Sequence, residues 1–418
     1  MRLIQVNEET YNEFLKSRDY VNFLQSVQQS DKMKSAGWNI DYVQFSENDT
    51  LVGGAFLATI PLMKVFHYCY IPRGILMDYH DSSAVKEITE LLKAYLKKKN
   101  VVYMEMEPLI ILQERDINGD IVENGVNNSD VVNNLKQAGY EQLPLKTGYD
   151  LSKECRFVSV LDLKGKNEDE LFKEFSYHTR QDIRSCDKYC VKVRELGRKD
   201  LPFLDEMEKR TSERHQFESF DMSYYNHLYD SFGEERIKMA YSYLDIDEYG
   251  NKIQSEYDRI SKDLIETRAF LEEHPGNTKK EKKLKTDQEY YDSLEKKLNQ
   301  IGTLREKYGN EVPLSCSLFI HYNNEMIYLV GASEYEHRMF KGPYATQWYM
   351  IRKALKEGCT RYNFYGISGC FKPEEEGYGV FDFKRGFNAK VEEYIGNFVL
   401  PVKPATFEMY KKLKHNHI

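Results

Sequence analysis

The sequence predicts a mixed α/β fold of the α+β class. It has two domains, and an antiparallel coiled-coil helical arm is inserted into the second. Three observations indicate this fold. Apolar residues recur at alternating four- and three-residue spacing on both sides of a turn signal. Strand-like sequence flanks that segment, and the order strands, helix, strand occurs in both halves of the chain. With 418 residues and 41% hydrophobic content, the chain is long enough for two compact domains and the arm.

The predicted first domain spans residues 1–150. Its predicted elements are an edge strand Met1–Val6, a helix Glu8–Arg18, strands within Asp41–Tyr70, a helix Ser82–Lys99 and a strand Val101–Met106. The second helix is the clearest element, because Val85, Ile88 and Leu92 fall on one face and a serine can cap its start.

The predicted second domain comprises residues 151–245 and 309–395, and residues 396–418 are expected to pack back on the body. The predicted elements are a strand Phe157–Leu163, helices, strands within Val312–Val330, a helix Tyr344–Lys356, strands Arg361–Gly366 and Val391–Val402, and a helix Thr406–Lys414. This order resembles that of the first half. Because sequence identity between the halves is low, an internal duplication is a conjecture at this stage.

The predicted arm spans residues 246–308. Its seam positions are Ile253, Tyr257, Ile260, Leu264, Thr267 and Leu271 in one helix, and Tyr291, Leu294, Leu298, Ile301 and Leu304 or Arg305 in the other. The segment His274-Pro275-Gly276-Asn277 supplies the reversal. An inserted arm of this kind reaches for a large partner. A dimerisation or packing hairpin, including one paired between molecules, is the alternative.

Composition excludes several classes of protein. No apolar run reaches the roughly 20 residues of a membrane span, and no signal peptide precedes the first strand, so a cytoplasmic location is expected. The net charge of −8 and the pI near 5.8 argue against non-specific coating of nucleic acid. The seven cysteines show no metal-ligand spacing, and Cys186 and Cys190 are interpreted as sharing a helix face. No metal site is predicted.

Two local runs of positive charge depart from the acidic average. Lys279, Lys280, Lys282 and Lys283 follow the turn of the arm, and Arg180 and Arg184 open a run in the second domain. Either run is explained by a solvated helix face or by contact with phosphate.

The sequence lacks the P-loop, the GxSxG and HExxH motifs and the dinucleotide-binding glycine fingerprint. Two neighbouring blocks are more informative. Residues 361–369 form a strand that enters a Gly-rich turn, and residues 381–388 are predicted to form a glycine-bounded loop in which Phe383 precedes Lys384 and Arg385. Such a loop suits an anionic or oxyanion-forming ligand. Packing of an aromatic strand beside a surface Lys-Arg pair is the alternative.

These blocks, together with the arm, resemble the Fem aminoacyltransferases of peptidoglycan synthesis. The matching stretches are Tyr-Asn-Phe-Tyr-Gly-x-Ser-Gly ending at Gly369, Phe383–Asn388, Glu392–Phe398, Pro72-Arg73-Gly74, Val160–Leu163 and Gly342–Trp348. They occur in the same order over nearly the whole chain. The resemblance is greatest to the arm-bearing FemA, FemB and FmhB group and smaller to MurM.

The resemblance implies two GNAT-like domains and a tRNA-binding arm. It also implies transfer of Gly, Ala or Ser from aminoacyl-tRNA to the side-chain amine of the third stem-peptide residue. The acceptor would be lipid II or its soluble nucleotide precursor, reached at the inner membrane surface, and no metal or nucleotide cofactor is implied. Whether the protein associates with itself or with related transferases stays open.

The resemblance also implies roles for individual residues. Lys384 matches the family's functional lysine, which would stabilise the oxyanion or the developing alkoxide, while Phe383 shapes the pocket. Tyr224 and Tyr328 stand where the family has acceptor-contacting tyrosines, and aromatic core is the alternative for both.

The charged candidates are less securely aligned with the family. Lys32 or Lys34 would supply a phosphate-binding lysine, with the spacing around Met33 leaving the choice open. Glu107-Pro108 replaces a common Asp-Pro, and Phe220 stands where relatives often have a basic residue. Glu107 is taken as a proton acceptor or as a residue that orients the amine. Arg180 and Arg184 are taken as further substrate contacts, and the four arm lysines as tRNA contacts.

Two rival functions remain at this stage. A non-catalytic relative, a scaffold or immunity factor, would bind wall precursors or partner transferases through the arm. An acyl-CoA-dependent GNAT enzyme would need a pyrophosphate-binding loop that the sequence does not show, and it would not need the arm.

Overall fold

The computed structural model describes residues 1–150, 153–215 and 218–415, which form two eight-stranded sheets, flanking helices and an arm. The strands of the first sheet, in spatial order, are β1 (Arg2–Val6), β2 (Asn39–Glu47), β3 (Thr50–Met63), β4 (Phe66–Ile71), β6 (Val101–Met106), β16 (Phe398–Pro401) and β8 (Glu141–Gln142), with β5 (Leu76–Met77) beside β3. The strands of the second sheet are β10 (Val191–Leu196), β11 (Ile237–Asp245), β12 (Glu311–Tyr322), β13 (Glu325–Ser333), β14 (Arg361–Ile367), β9 (Phe157–Asp162), β15 (Lys390–Tyr394) and β7 (Ile111–Glu114).

Thirteen α-helices accompany the sheets in the described part of the chain. They are α1 (Glu8–Lys16), α2 (Val27–Ser35), α3 (Ser82–Lys98), α4 (Ser129–Gln137), α5 (Glu168–Glu174), α6 (Tyr177–Lys188), α7 (Leu201–His215), α8 (Met222–Phe232), α9 (Ile246–Glu273), α10 (Thr278–Tyr308), α11 (Gly342–Lys356), α12 (Tyr378–Arg385) and α13 (Pro404–His415). Within residues 1–150, 153–215 and 218–415, every helix is too short or too polar to cross a membrane.

The two sheets repeat one plan. In the first, β1 to β4 pair antiparallel and β4 pairs parallel with β6 after the crossover helix α3. In the second, β10 to β13 pair antiparallel and β13 pairs parallel with β14 after the crossover helix α11. Two helices separate the first two strands in each case, α1 and α2 or α7 and α8. The common topology supports the conjectured duplication.

The halves also exchange strands, which sequence reasoning did not predict. Strand β7 lies inside the predicted first domain but pairs with β15 in the second sheet, while β16 joins β6 in the first sheet. The single predicted strand Val391–Val402 is wrong, because it is divided into β15 and β16 in different sheets. Gly396 lies between them at a φ of 83°, a left-handed conformation that ends an extended strand. The bounds 1–150 and 396–418 therefore do not follow the sheets at these two strands.

The arm is inserted between β11 and β12, whereas β2 and β3 of the first sheet are joined by a tight turn in which Asn48 and Asp49 have φ values of 46° and 65°. Helices α9 and α10 close on each other within one chain. Ile260, Leu264 and Leu294 are buried between them. Because the two helices pair within one molecule, the predicted seam between them is confirmed.

A hydrophobic core crosses the boundary between the halves. Phe23 and Met33 from the first half belong to the same buried cluster as Tyr225, Leu228 and Phe232 from the second, and α2 packs against α8. Burial of this apolar surface holds the two halves in a fixed relation. Side chains from both halves can therefore build one site.

Candidate active site

Lys384 lies in a helix, so the predicted glycine-bounded loop at residues 381–388 is wrong. Helix α12 begins after Gly377, whose φ of 85° reverses the chain, and Phe381 anchors it in a buried aromatic cluster. Lys384, one helical turn later, is 5% exposed. Its Nζ donates hydrogen bonds to the carbonyl oxygens of Gly366 at 2.6 Å and Tyr365 at 3.4 Å.

A bulge in β14 directs these two carbonyls toward the amine. The register between β14 and β9 shifts between Asn363 and Gly366, and Tyr365 has a left-handed φ of 62°. The amide of Tyr365 donates to Asn363 Oδ1 at 2.8 Å, which stabilises that conformation. A Cβ on Gly366 would lie 2.3 Å from Cys155 Sγ, so the bulge requires glycine there.

Burial lowers the pKa of the Lys384 ammonium to about 7, while the nearby Cys155 thiol acts in the opposite direction. The amine therefore changes protonation state near neutral pH. Because an ammonium has three N–H groups and two of them bind carbonyls, one remains for a substrate oxygen.

A cavity of about 540 Å³ lies beside this helix. Phe383 and Tyr344 line it with their rings 5.0 Å apart, and the segment Glu334–Met339 contributes further lining residues. Strands β13 and β14 pair only where Glu325–Ile327 lies beside Arg361–Asn363, and they separate beyond that point. Phe383 lines this cavity, and its role in shaping a substrate pocket stays a prediction.

Glu107 contributes a buried carboxyl group from the first half and is 3% exposed. Its Oε1 accepts hydrogen bonds from the Tyr70 hydroxyl at 2.7 Å and the Arg73 amide at 3.0 Å. Its Oε2 is buried and has no hydrogen-bond partner within the described ranges. Burial raises the pKa of Glu107 to about 7, against the lowering effect of the Arg73 cation. Such a carboxyl group can accept a proton near neutral pH.

A continuous set of contacts joins Glu107 to Lys384. The Arg73 guanidinium pairs with Glu154 Oε2 at 3.3 Å, and the Tyr365 hydroxyl donates to the same oxygen at 2.6 Å. Tyr365 also presents its carbonyl to Lys384. Sequence reasoning noticed Arg73 and Tyr365 only as parts of motifs, and it missed Glu154, for which the sequence carries no signal.

The structure distinguishes Lys32 from Lys34. The Lys32 ammonium lies 3.9 Å from the centroid of the Tyr224 ring, and Phe220 stacks with Tyr224 at 4.1 Å. Burial lowers the pKa of Lys32 to about 8, with Glu154 opposing the change. Lys34 instead pairs with Glu8 and Asp31 at 2.8 and 2.9 Å. Only Lys32 shares a site with Tyr224 and Glu154.

Three other predicted substrate contacts make contacts within the protein, and their roles toward a substrate stay predictions. Arg180 donates to the carbonyls of Lys173 and Phe175, and the Arg184 guanidinium lies 5.2 Å from the Phe172 ring. Among the described residues, neither arginine contacts Lys32, Tyr224, Glu107 or Lys384. The Tyr328 ring packs on Phe319 at 5.2 Å, and a Cβ on Gly331 would collide with its hydroxyl. Tyr328 is partly buried against the same hydrophobic cluster as Phe383, and its contact with the acceptor stays a prediction.

The four arm lysines lie in the first turns of α10, at the tip of the arm. Lys283 pairs with Asp287 at 2.7 Å, and the Lys280 ammonium lies 5.2 Å from the Phe270 ring. Lys279 and Lys282 are exposed. A search of residues 1–150, 153–215 and 218–415 finds no group of three or more His, Cys, Asp and Glu side chains arranged to hold a metal.

Known proteins resemble this chain in sequence and in fold. A sequence model of the FemAB family matches residues 6–415. The chain belongs to the FemAB family. It is 32% identical to the aminoacyltransferase FemA of Staphylococcus aureus strain MRSA252 over 418 residues, which is 99% of this chain and 98% of that protein. FemA of strain N315 matches with the same identity and coverage. The crystal structure of FemX superposes with a TM-score of 0.76 at 23% identity, covering 98% of this chain and 99% of FemX.

FemAB membership confirms the predicted family and the predicted enzyme class, an aminoacyltransferase that acts in peptidoglycan synthesis. The superposition on FemX, together with the two repeated sheets, confirms the predicted fold class.

Proposed function

We propose that this FemAB protein transfers Gly, Ala or Ser from aminoacyl-tRNA to the side-chain amine of a lipid II stem peptide and so builds the interpeptide bridge. It acts in the cytoplasm at the inner face of the membrane. The observation that carries the proposal is the buried Lys384 amine, which is held on two carbonyls and linked by contacts to a buried Glu107, while the adjacent Phe383 lines a cavity.

The reaction is aminolysis of an ester. The acceptor amine attacks the carbonyl carbon, a C–N bond forms, and the C–O bond to the ribose breaks. One proton leaves the amine and one reaches the ribose oxygen. The free N–H of Lys384 stabilises the oxyanion and then gives its proton to the departing ribose oxygen, so Lys384 ends neutral and Glu107 protonated until solvent returns both to their starting forms. Glu107 takes the proton of the amine through the Tyr70 hydroxyl that donates to it.

The two substrates approach from different sides. The aminoacyl end of the tRNA enters the cavity at Phe383, while Lys279, Lys280, Lys282 and Lys283 contact the tRNA backbone farther out on the arm. The pyrophosphate of the acceptor binds the Lys32 ammonium beside Tyr224. Glu154 and Arg73 lie between these regions, where the reacting groups must meet.

The decisive experiment is a transfer assay with tRNA charged with radiolabelled Gly, Ala or Ser. The acceptors are lipid II and its soluble nucleotide precursor, unbranched and with one or several bridge residues attached. We expect transfer of one label to a lipid-linked acceptor. Transfer only to the nucleotide precursor would correct the acceptor, and no transfer of any label would favour a binding protein over an enzyme of this specificity.

A matched pair of variants tests the acceptor site. Lys32→Met removes the half-buried cation and is expected to raise the KM for the acceptor about 10- to 100-fold, because a charge-assisted contact with phosphate is lost. Lys34→Met removes two exposed ion pairs and a hydrogen bond to the Tyr42 hydroxyl, and it is expected to change this KM by less than about twofold.

The pH dependence of the same constant gives a second readout. Because burial lowers the pKa of Lys32 to about 8, the cation is lost as the pH rises through that value. The acceptor KM of the native protein should therefore rise above about pH 8, whereas that of Lys32→Met should stay flat. Equal acceptor KM values for the two lysine variants would contradict the assignment.

A further inference from the structure

An exposed aromatic ring with two arginines lies beside the cavity, and the proposed catalytic steps do not use it. Tyr335 opens a 3₁₀ turn, Tyr335–Phe340, and is 54% exposed. The Arg338 guanidinium lies 4.0 Å from the centroid of the Tyr335 ring, and that of Arg214 lies 5.4 Å from it. We name these three side chains the Tyr335 platform. Exposed flat surfaces of this kind, an aromatic ring next to guanidinium groups, are typical of surfaces on which bases of single-stranded nucleic acids stack.

The charge around the platform favours an anionic partner. Arg338 donates to the carbonyl oxygen of Tyr335 at 3.1 Å, and within the described residues it forms no ion pair with a carboxylate. The two nearest carboxylates in the chain are already paired, Glu334 with Arg210 at 2.5 Å and Glu336 with Lys307 at 3.6 Å. The positive charge of Arg338 is therefore available to a phosphate.

The 3₁₀ turn connects the base of the arm to the cavity. His337 hydrogen-bonds to Tyr308, the last residue of α10, at 3.2 Å, and the Phe340 ring packs 6.0 Å from that of Tyr249 at the start of α9. Arg338 and Met339, from the same turn, line the cavity together with Phe383. The turn therefore contacts both the base of the arm and the wall of the cavity.

We propose that the Tyr335 platform stacks a base of the unpaired 3′ end of the donor tRNA. The inference rests on the proposed function, because it takes aminoacyl-tRNA as the donor. It adds a specific contact between the arm and the cavity. Stacking tolerates any base, and both arginines supply flat surfaces, while Arg338 also supplies a phosphate contact. The platform thereby directs the single strand into the cavity where the ester is attacked.

The test uses two RNA hairpins that differ only in a single-stranded 3′ extension. The full-length native protein should bind the extended hairpin more tightly than the blunt one. Tyr335→Ala should weaken binding of the extended hairpin about 5- to 100-fold and leave the blunt hairpin unchanged, because only the extension stacks. Tyr335→Phe retains the ring and should preserve the preference. Val65→Ala, at a 63% exposed position in the β3–β4 turn, is the matched surface control and should behave as the native protein does.

Transfer kinetics separate the two proposals. In Tyr335→Ala the KM for charged tRNA should rise by a similar factor, with kcat within about threefold of native, because the ring lies outside the reacting groups. Native protein that transfers amino acid but shows no preference for the extended hairpin, or a Tyr335→Ala variant that keeps the preference, would overturn the platform and leave the function intact. Native protein that neither transfers nor binds either RNA would instead overturn the proposed function. If the native protein bound an unrelated peptide at Tyr335 more tightly than the extended hairpin, the platform would be assigned to a protein partner and the proposal would be overturned.

Discussion

Lys384→Met is expected to lower kcat by about 10²- to 10³-fold, because it removes the N–H that stabilises the oxyanion while leaving the substrate sites in place. The loss should appear in kcat rather than in either KM, since the amine is needed in the transition state more than for binding. Single-turnover transfer measured at saturating donor and acceptor tests this expectation.

The same substitution should change how stability depends on pH. Lys384 has its pKa lowered from 10.5 to about 7, so the folded protein binds fewer protons than the unfolded chain between these values. Stability of the native protein therefore rises with pH across this window, by up to about 5 kcal/mol, and Lys384→Met should lack that rise. Below about pH 7 both states hold the proton and the burial penalty is fully present. Denaturant unfolding at several pH values compares the two slopes.

Lys34→Met provides the control, because Lys34 is a surface lysine with exposed ion pairs. Its stability should follow the native pH dependence, and its kcat should match the native value. A Lys384→Met protein with native kcat would remove Lys384 from the mechanism. If the stability of Lys384→Met depended on pH as that of the native protein does, the amine would not be buried as described.

Periodicity was sufficient to predict the arm and most of the sheets. The seam from Ile253 to Leu304 depends on local spacing, which the sequence displays directly. The exchange of β7 and β16 depends on which sheet edge is free in the folded chain, and no local pattern encodes that. The helix at Lys384 was missed for a related reason. Its glycine-bounded sequence is typical of a loop, but burial of Phe381 stabilises α12.

The site shows the same division between local and tertiary information. Lys32 and Lys34 lie two positions apart in α2 and therefore project from nearly opposite sides of the helix. The sequence could not indicate which side faces α8, and packing of the two halves decides it. Glu154 escaped prediction because its partners, Arg73 and Tyr365, come from distant parts of the chain. Lys384 was found only through the family resemblance.

A buried amine and a buried carboxyl group ionise over the same range of pH at this site. The Lys384 ammonium and the Glu107 carboxyl both have a pKa of about 7, the first lowered and the second raised by burial. The reactive form, with Lys384 protonated and Glu107 ionised, is most populated near neutral pH. A bell-shaped dependence of kcat/KM on pH follows, whose limbs belong to the linked pair of groups.

Glu107→Gln is expected to remove the acidic limb of that profile and to lower kcat/KM by about 10²- to 10⁴-fold. The amide oxygen of glutamine can still accept the hydrogen bonds that Tyr70 and Arg73 donate, so the local geometry should persist. What is lost is the ability to take a proton.

Because the pKa of Glu107 is raised from 4.5 to about 7, native stability should also fall as the pH rises through this window, and Glu107→Gln should not show that fall.

Glu105→Gln is the matched control for this experiment, since Glu105 lies in β6 two positions before Glu107, which directly follows the strand, and is similarly buried. Glu105 pairs with Lys153 and accepts a hydrogen bond from Asn397, so its replacement perturbs a buried carboxylate without touching Tyr70 or Arg73. Its kcat/KM should stay within about threefold of native with the acidic limb intact. If both variants lose activity alike while the acidic limb survives in Glu107→Gln, Glu107 orients Arg73 and Tyr70 rather than accepting the proton. If only Glu107→Gln loses the limb, the proton passes through Glu107.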